Sequence, residues 1–406
     1  MKKLYILILS IFLLVGCTNS NIITTSNESK SNNKLADGAY INTKDVEIYN
    51  ISTIESIIND TNVEITNLDK SINTDELGKH NIDIDYKYNE ELYTYSLEYN
   101  VIDTQKPILL SAPSTLTYQL EDDTNPCDSF NYADNQTRIP KCEIIGDYDV
   151  TQIGNYTVKY KISDESNNYQ EGDLTIKIVK DLPTNNNKNE PKVTTTTDIA
   201  TVINKYKNNN TSIGLDVSKY QGDIDFSQVK EAGVEFVIIK LGNYFPDDGF
   251  SFDTKFEQNY KNAKANNLKI GLYIYTNSTR EEFGKEVGKA VIDNIKDLDI
   301  DLPIAFDWEN WYKFKSYESS IHDLGNTYRA FAKVMKDNNY TPMLYGSKYY
   351  LENIWEKDLV NNDNIWLAHY TDSKTNYQGK YIMWQLCNDG RVNGINGDVD
   401  INVLYK

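Results

Sequence analysis

Two kinds of hydrophobic patterning divide this chain. From about residue 38 to 180, apolar and polar residues alternate. Asn81-Ile82-Asp83-Ile84-Asp85-Tyr86 is one such run and Tyr156-Thr157-Val158-Lys159-Tyr160-Lys161-Ile162 is another. Strict alternation predicts half-buried strands, so this region reads as all-β, with only a weak helical period near residues 51–58. From Ile213 short apolar runs alternate with amphipathic stretches. Strands are predicted at 213–216, 235–241, 269–275, 302–306, 342–345, 364–368, 381–385 and 399–403. Helices are predicted at 227–232, 254–266, 280–295 and 321–338. In the second helix Phe256, Tyr260, Ala263 and Lys264 form an i, i+4, i+7, i+8 stripe with only the last polar. Strand–helix alternation implies parallel strands, and eight of them favour a barrel. The segment between Tyr370 and Tyr381 is too short for a crossover helix, so the last strands need plain loops or hairpins.

The alternating region repeats itself. Val63-Glu64-Ile65, Leu77-Gly78-Lys79, an alternating strand, a polar turn and Tyr95–Val101 form one copy. Cys142-Glu143-Ile144, Ile153-Gly154-Asn155, an alternating strand, Ser166-Asn167-Asn168 and Leu174–Val179 form the other. The joint is Asp103-Thr104-Gln105-Lys106-Pro107. The D-x-x-x-P start and the G-x-Y-x-V-x-Y run resemble bacterial surface immunoglobulin-like modules, more closely in the second copy. The resemblance implies sandwich modules acting as spacers or wall-binding units. Residues 181–209 carry Pro183, a run of Asn, Pro191 and four consecutive threonines, a linker composition, with a short helix over 198–207.

At the start of the chain Lys2 and Lys3 precede an apolar run from Leu4 to Val15. That run is shorter than the about 20 residues a spanning helix needs, and has the form of a secretory leader. It ends Leu14-Val15-Gly16-Cys17, which resembles the bacterial lipobox. The resemblance implies cleavage before Cys17, diacylglycerol on its sulfur, and a protein lipid-anchored at the outer face of the cell membrane. The boundaries read this way are 1–17 for the lipoprotein signal peptide and 18–37 for a flexible tether. Residues 38–102 and 103–180 are the two β modules, 181–209 the linker and 210–406 the α/β domain.

Composition narrows the chemistry. The formal charge of −19 and the lack of a basic cluster argue against a nucleic-acid partner. The three histidines, His80, His322 and His369, lie far apart without metal-binding spacing, and no G-x-S-x-G is present. Cys127 and Cys142, in an exported region, suggest a disulfide worth roughly 3 kcal/mol. Cys387 reads as a small buried hydrophobe.

Residues 304–310, Ile-Ala-Phe-Asp-Trp-Glu-Asn, hold the most informative pair. On a strand Asp307 and Glu309 point the same way, with Cα atoms about 6.5–7 Å apart. Glycosidic cleavage needs one carboxyl to protonate the leaving oxygen and an anionic group to support the cationic sugar. An acidic helix N-terminus gives the same pair without chemistry.

Around this pair stand Gly214-Leu215-Asp216-Val217-Ser218 with Tyr220-Gln221-Gly222, Phe236–Lys240, Tyr345-Gly346-Ser347, Ile365-Trp366-Leu367-Ala368, Trp384-Gln385 and Gly397-Asp398-Val399-Asp400-Ile401-Asn402. In order and spacing these segments resemble family 25 of the glycoside hydrolases, the Chalaropsis-type lysozymes. The resemblance implies a modified TIM barrel, (β/α)5(β)3, with no metal and no cofactor. It implies cleavage of the β-1,4 bond between N-acetylmuramic acid and N-acetylglucosamine in peptidoglycan. By position Glu309 corresponds to the general acid, Asp307 to the stabilising or orienting partner, and Asp216 and Asp400 to two further pocket acids. Tyr273, Tyr275, Tyr345, Trp366, Trp384 and Gln385 are the expected substrate-contacting residues, with core filling as the alternative for about half of the aromatics. At Ile274 many members carry histidine, a departure that touches subsite detail. The expected molecule is a monomeric, surface-anchored muramidase.

Two other readings compete. A chitinase-like site would place further acids at 302 and 305, where this chain has Leu302 and Ala305. A catalytically inactive, wall-binding lipoprotein of the same fold would have lost a pocket acid, and none is missing.

Overall fold

The computed structural model describes residues 34–183, 196–371 and 373–406, and the backbone of 30–31. The leader, Cys17 with its lipidation, most of the tether and residues 184–195 lie outside the described residues. The chain divides into two compact units, one up to Ile102 and one from Asp103 to Lys406.

The first unit is mostly β. Its centre is the antiparallel hairpin of Gly78–Tyr88 and Glu91–Ile102. Val46–Glu47 pairs in parallel with the second of these strands, and Glu64–Ile65 pairs antiparallel with the first. The alternation sorts side chains as period two requires: Ile84 and Tyr86 are buried, Asp83 and Asp85 exposed. Leu97, Tyr99 and Val101 complete this core with Ile54 and Ile57.

The second unit opens with the same arrangement. Thr115–Gln119 is parallel to Tyr169–Val179, which pairs antiparallel with Gly154–Ser163, which pairs antiparallel with Lys141–Ile145. One hairpin flanked by one parallel and one antiparallel strand is thus the structural form of the sequence repeat. A two-stranded piece, Ile108–Ser111 with Asn131–Ala133, and the Cys127–Cys142 disulfide complete this module.

The rest of the unit is a closed barrel. Its strands are β1 Thr211–Val217, β2 Phe236–Phe245, β3 Lys269–Thr276, β4 Ile304–Asp307, β5 Pro342–Ser347, β6 Ile365–Ala368, β7 Met383–Arg391 and β8 Val399–Tyr405. β1 to β7 run parallel in order, and β8 closes the ring antiparallel to both β7 and β1. Helices follow the first five strands: α1 Phe226–Glu231, α2 Phe256–Ala265, α3 Glu281–Ile295, α4 Ile321–Asp337, and the short pair α5 Lys348–Asn353 and α6 Lys357–Asn362. Among the described residues no helix separates β6 from β7 or β7 from β8, so five strand–helix units are followed by three plain strands.

One boundary needs correction. Residues 197–206, read as the end of the linker, belong to the barrel. Thr197–Asp198 pairs with β7, and the helix Ile199–Tyr206 buries Ile199 and Val202 in the barrel's core. The physical reason is its amphipathic stripe, which a solvated linker would not need.

Two apolar layers hold the barrel. Outward residues such as Leu215, Ile239, Leu272, Phe306 and Leu367 pack under the helices. Phe236, Ile238, Ala305, Met343 and Met383 fill the interior. Gly214 is required where it stands, since a Cβ there would run into the Phe236 ring.

Candidate active site

Strand parity builds the site. On β1 Gly214 and Asp216 alternate with Ile213, Leu215 and Val217, which are buried in the outer layer. On β4 Ala305 lies in the interior cluster and Asp307 is two residues on, while Ile304 and Phe306 face the helices. The same count carries Phe236 and Ile238 up to Lys240 on β2, Met343 to Tyr345 on β5, and Met383 to Gln385 on β7. Each strand therefore starts apolar inside and ends polar at its C-terminal end, where barrel sites form. β8 runs the other way, so Asn402 and Asp400 come to the same end from its first residues.

The result is a cavity of about 220 Å³ lined by Asp216, Tyr273, Asp307, Glu309, Tyr345, Trp366, Tyr370, Gln385 and Asp400. A second cavity of about 460 Å³ shares Glu309, Tyr345 and Tyr370 with it and extends past Ser347, Tyr349 and His369. Together they make a groove with Glu309 at the junction. A larger cavity of about 590 Å³, between the Ile199–Tyr206 helix and β7, holds none of the four acids.

Asp216 is held by donors. Gln385 Nε2 and Asn402 Nδ2 donate to its Oδ2 at 3.0 and 2.7 Å. Asn402 Oδ1 in turn accepts from Trp366 Nε1 at 2.8 Å, and Gln385 Oε1 accepts from the Tyr345 and Tyr370 hydroxyls, each at 3.0 Å. Both amides are thereby fixed in orientation, which keeps their NH2 groups on the carboxylate. Asp307 differs: its Oδ1 is buried without a hydrogen-bond partner among the described residues. Burial, then the Glu309 charge, push its carboxyl well above the usual range, with Lys240 opposing.

The other acids shift the same way. Burial, opposed by the two amide donors, leaves Asp216 at about 6. Asp400 sits directly opposite Asp216 across the β1–β8 ladder. Burial and then the Asp216 charge push its carboxyl up to about 8. Glu309 is exposed at the cavity mouth but ringed by protein on its other sides, so burial raises it while Lys240 pulls it down. Lys240 Nζ stands 5.8 and 5.1 Å from the Tyr273 and Tyr275 ring centroids. Burial lowers its own pKa, opposed by Asp307. Four acids on one low-dielectric cavity, with Lys240 acting on Asp307 and Glu309, cannot all ionise freely, so the cluster favours keeping protons. Burial loads Asp307 and Asp400 as well as Glu309, so the retained proton is shared more widely than an assignment to Glu309 alone implies.

The expected contact residues divide. Tyr273, Tyr345, Trp366 and Gln385 line the cavity. Trp366 is only 2% exposed and acts through its hydrogen bond to Asn402. Tyr275 does not line the cavity; its hydroxyl accepts from Asn310 Nδ2 at 3.1 Å. Trp384 is a correction: it is fully buried on the outer face against Tyr206, donating to the His369 carbonyl. Its neighbour Gln385 faces inward, and adjacent strand residues cannot both do so. Ile274 also faces outward into the core, so that departure from the family pattern lies outside the cavity. Lys240, Tyr370 and Asn402 were missed. Strand parity points to two of them: Lys240 is four residues after inward Phe236, and Asn402 is two after Asp400.

The profile of Glycosyl hydrolases family 25 matches residues 215–395. The autolytic lysozyme of Clostridium acetobutylicum is 30% identical over 191 residues, 47% of this chain and 54% of that protein. The chain thus spans about half the length of this relative. Lysozyme M1 of Streptomyces globisporus is 27% identical over 47% of this chain and 66% of its own. A family 25 glycosyl hydrolase structure from Bacillus anthracis matches with 23% identity and a TM-score of 0.42, covering 50% of this chain and 92% of that one. The match to a glycosyl hydrolases family 25 domain thus spans residues 215–395 of this chain and includes Asp216, Asp307 and Glu309 of the cavity.

Proposed function

We propose that this chain is a peptidoglycan hydrolase that cleaves the β-1,4 bond between N-acetylmuramic acid and N-acetylglucosamine. The observation that supports this best is the convergence of Asp216, Asp307, Glu309 and Asp400 on one cavity of a family 25 barrel. Glu309, at the junction of the two cavities, is the acid that a glycan lying in the groove can reach. It protonates the leaving oxygen. Asp307, buried behind it, supports the positive charge that develops on the sugar, either directly or by orienting the substrate's own acetamido group for attack. The D-x-E arrangement favours the acetamido route, with Asp307 as the orienting acid. Lys240 favours the ionised form of Asp307, opposing the burial and the Glu309 charge that push its carboxyl well above the usual range. Asp216, with both donors on one oxygen, shapes the floor, and Asp400 adds to the negative field.

In this reading the enzyme acts outside the cell as a monomer, carried by the lipidated Cys17 and the 18–37 tether. The two β modules are immunoglobulin-like spacers between membrane and barrel. The linker is short, and the barrel takes in its last residues. The decisive experiment is digestion of purified peptidoglycan, with mass spectrometry of the fragments. New reducing ends on N-acetylmuramic acid are expected with the wild-type chain and none with Glu309→Gln at unchanged folding. A Glu309→Gln chain that clears walls at the normal rate would refute the assignment. A wild-type chain that binds walls without cutting them would establish the inactive, wall-binding alternative.

A further inference from the structure

The sequence offers no metal motif, yet the second β module gathers three buried carboxylates. Asp103, Asp134 and Asp164 are 7%, 0% and 8% exposed, and one carboxylate oxygen from each lies within 4.8 Å of the others. They come from three separate segments. One oxygen of each is tied to its own loop. Asp134 Oδ1 accepts from the Gln136 and Thr137 backbone at 3.0 and 2.6 Å. Asp164 Oδ1 accepts from the Asn168 backbone at 2.8 Å. Asp103 Oδ1 accepts from Gln105 N and Asn135 Nδ2, each at 3.1 Å. The second oxygens of Asp134 and Asp164, and Asn135 Oδ1, are buried with no hydrogen-bond partner among the described residues.

Orphaned buried oxygens on mutually repelling acids are costly, and native proteins keep few of them. Three buried carboxylates whose oxygens approach this closely repel one another, and a cation held among them would answer that repulsion. Hard carboxylate and amide oxygens suit calcium, whose ligands stand about 2.3–2.6 Å from the ion. Oxygens on such a sphere lie at most about 5 Å apart, which matches the spacing here.

The loop that carries two of these ligands also grips the barrel. The carbonyls of Asp134 and Asn135 accept from the Ile321 and His322 backbone at 2.8 and 3.2 Å, in the first turn of α4. Arg138 holds both oxygens of Asp323 at 2.9 Å. Asp323 itself closes the capping box with Ser320 at the start of that helix. The first turn of α4 is thus anchored on the module loop that carries Asp134.

We propose that Asp103, Asp134 and Asp164, with Asn135 Oδ1, bind a calcium ion that rigidifies this loop and locks the second β module to the barrel.

The test is titration of the full chain with CaCl2 after removal of metals by EGTA, followed by calorimetry and by thermal unfolding, with MgCl2 in parallel. The expected result is one saturable calcium site, a rise of several degrees in unfolding temperature, and a weaker response to magnesium. Asp134→Asn and Asp164→Asn should each weaken calcium binding at least tenfold. In EGTA both should unfold no lower than wild type, because a repelling charge is gone. Asp173→Asn, exposed on the same module, should leave binding unchanged. If an aspartate variant fails to fold, Asn135→Ala decides, with a several-fold loss expected. No calcium response in the wild type, an unaltered response in the variants, or stabilisation by acid alone with none by calcium would each overturn the proposal.

Discussion

Replacing Asp400 by asparagine should make the barrel more stable at neutral pH while weakening its chemistry. Asp400 faces Asp216 across the β1–β8 ladder, where opposite Cβ atoms are about 4.5–5.5 Å apart. Its carboxyl is pushed from 3.8 to about 8 in the folded chain. A carboxyl raised in this way binds its proton more tightly folded than unfolded. The stability it lends is complete below about pH 4 and is lost as pH rises towards 8. At about 1.4 kcal/mol per pH unit the full loss by pH 7.5 would be about 5 kcal/mol. Asp400 is partly exposed and shares its proton with Asp216, so we expect about half of that, ~2 kcal/mol. Asparagine cannot ionise, so the variant should exceed wild type by this amount at pH 7.5 and by almost nothing at pH 4.5. Urea unfolding followed by tryptophan fluorescence measures it cleanly, because all five tryptophans lie in the barrel. Wall-clearing turnover of the same variant should fall at least tenfold. A variant less stable than wild type at pH 7.5, or a gain that fails to shrink with acid, would refute the electrostatic reading. A purely structural Asp400 predicts lost stability at every pH.

Other perturbations probe the same cluster. Asp307→Asn should cost a factor of about 10²–10³ in turnover with urea stability unimpaired, since support of developing charge usually does most to lower the barrier; a loss below tenfold would remove Asp307 from the chemistry. Lys240→Met takes away the charge that holds Asp307 and Glu309 down, so both limbs of the pH–rate profile should move to higher pH. An unshifted profile would show that Lys240 acts only through packing. Trp384→Phe should lower the urea midpoint but leave KM within twofold, because the indole faces away from the cavity; a large rise in KM would contradict its placement.

Much of this barrel is legible in one dimension because strand parity is strict. Once Asp307 is taken as inward, the same count along each apolar run places Asp216, Tyr345 and Gln385, and it removes Trp384 and Ile274. Lys240 escaped because a lysine inside the predicted 235–241 strand carries no mark of the acids it will face. The strand continues to Phe245, and the lysine is half-buried. Tyr370 has no such rule, for it stands on the loop after β6, where no periodicity constrains direction. The short helices α5 and α6 have no counterpart among the predicted helices. The three module aspartates are harder still. They occupy a strand joint and two turns, settings where aspartate is common for its backbone hydrogen bonds alone. Only the closing of the module brings their second oxygens together.

The cavity acids and the module acids pose one physical question with different answers. In both places the fold gathers carboxylates that repel each other and leaves buried oxygens without donors. In the module each aspartate is bound to its own loop through one oxygen, so the geometry is rigid and a permanent cation fits it. In the barrel the partners are unequal. Asp216 is clamped by two amides, Asp307 Oδ1 has no partner among the described residues, and Glu309 reaches solvent. A neutral glycan entering this groove leaves the repulsion in place. A sugar that acquires positive charge as its glycosidic bond breaks relieves it, and does so most beside the oxygen without a donor. Differential binding of that kind lowers a barrier rather than merely holding substrate. On this argument the destabilising electrostatics of the barrel mouth are not incidental to its chemistry, and any substitution that relaxes them should stabilise the fold and slow the reaction together.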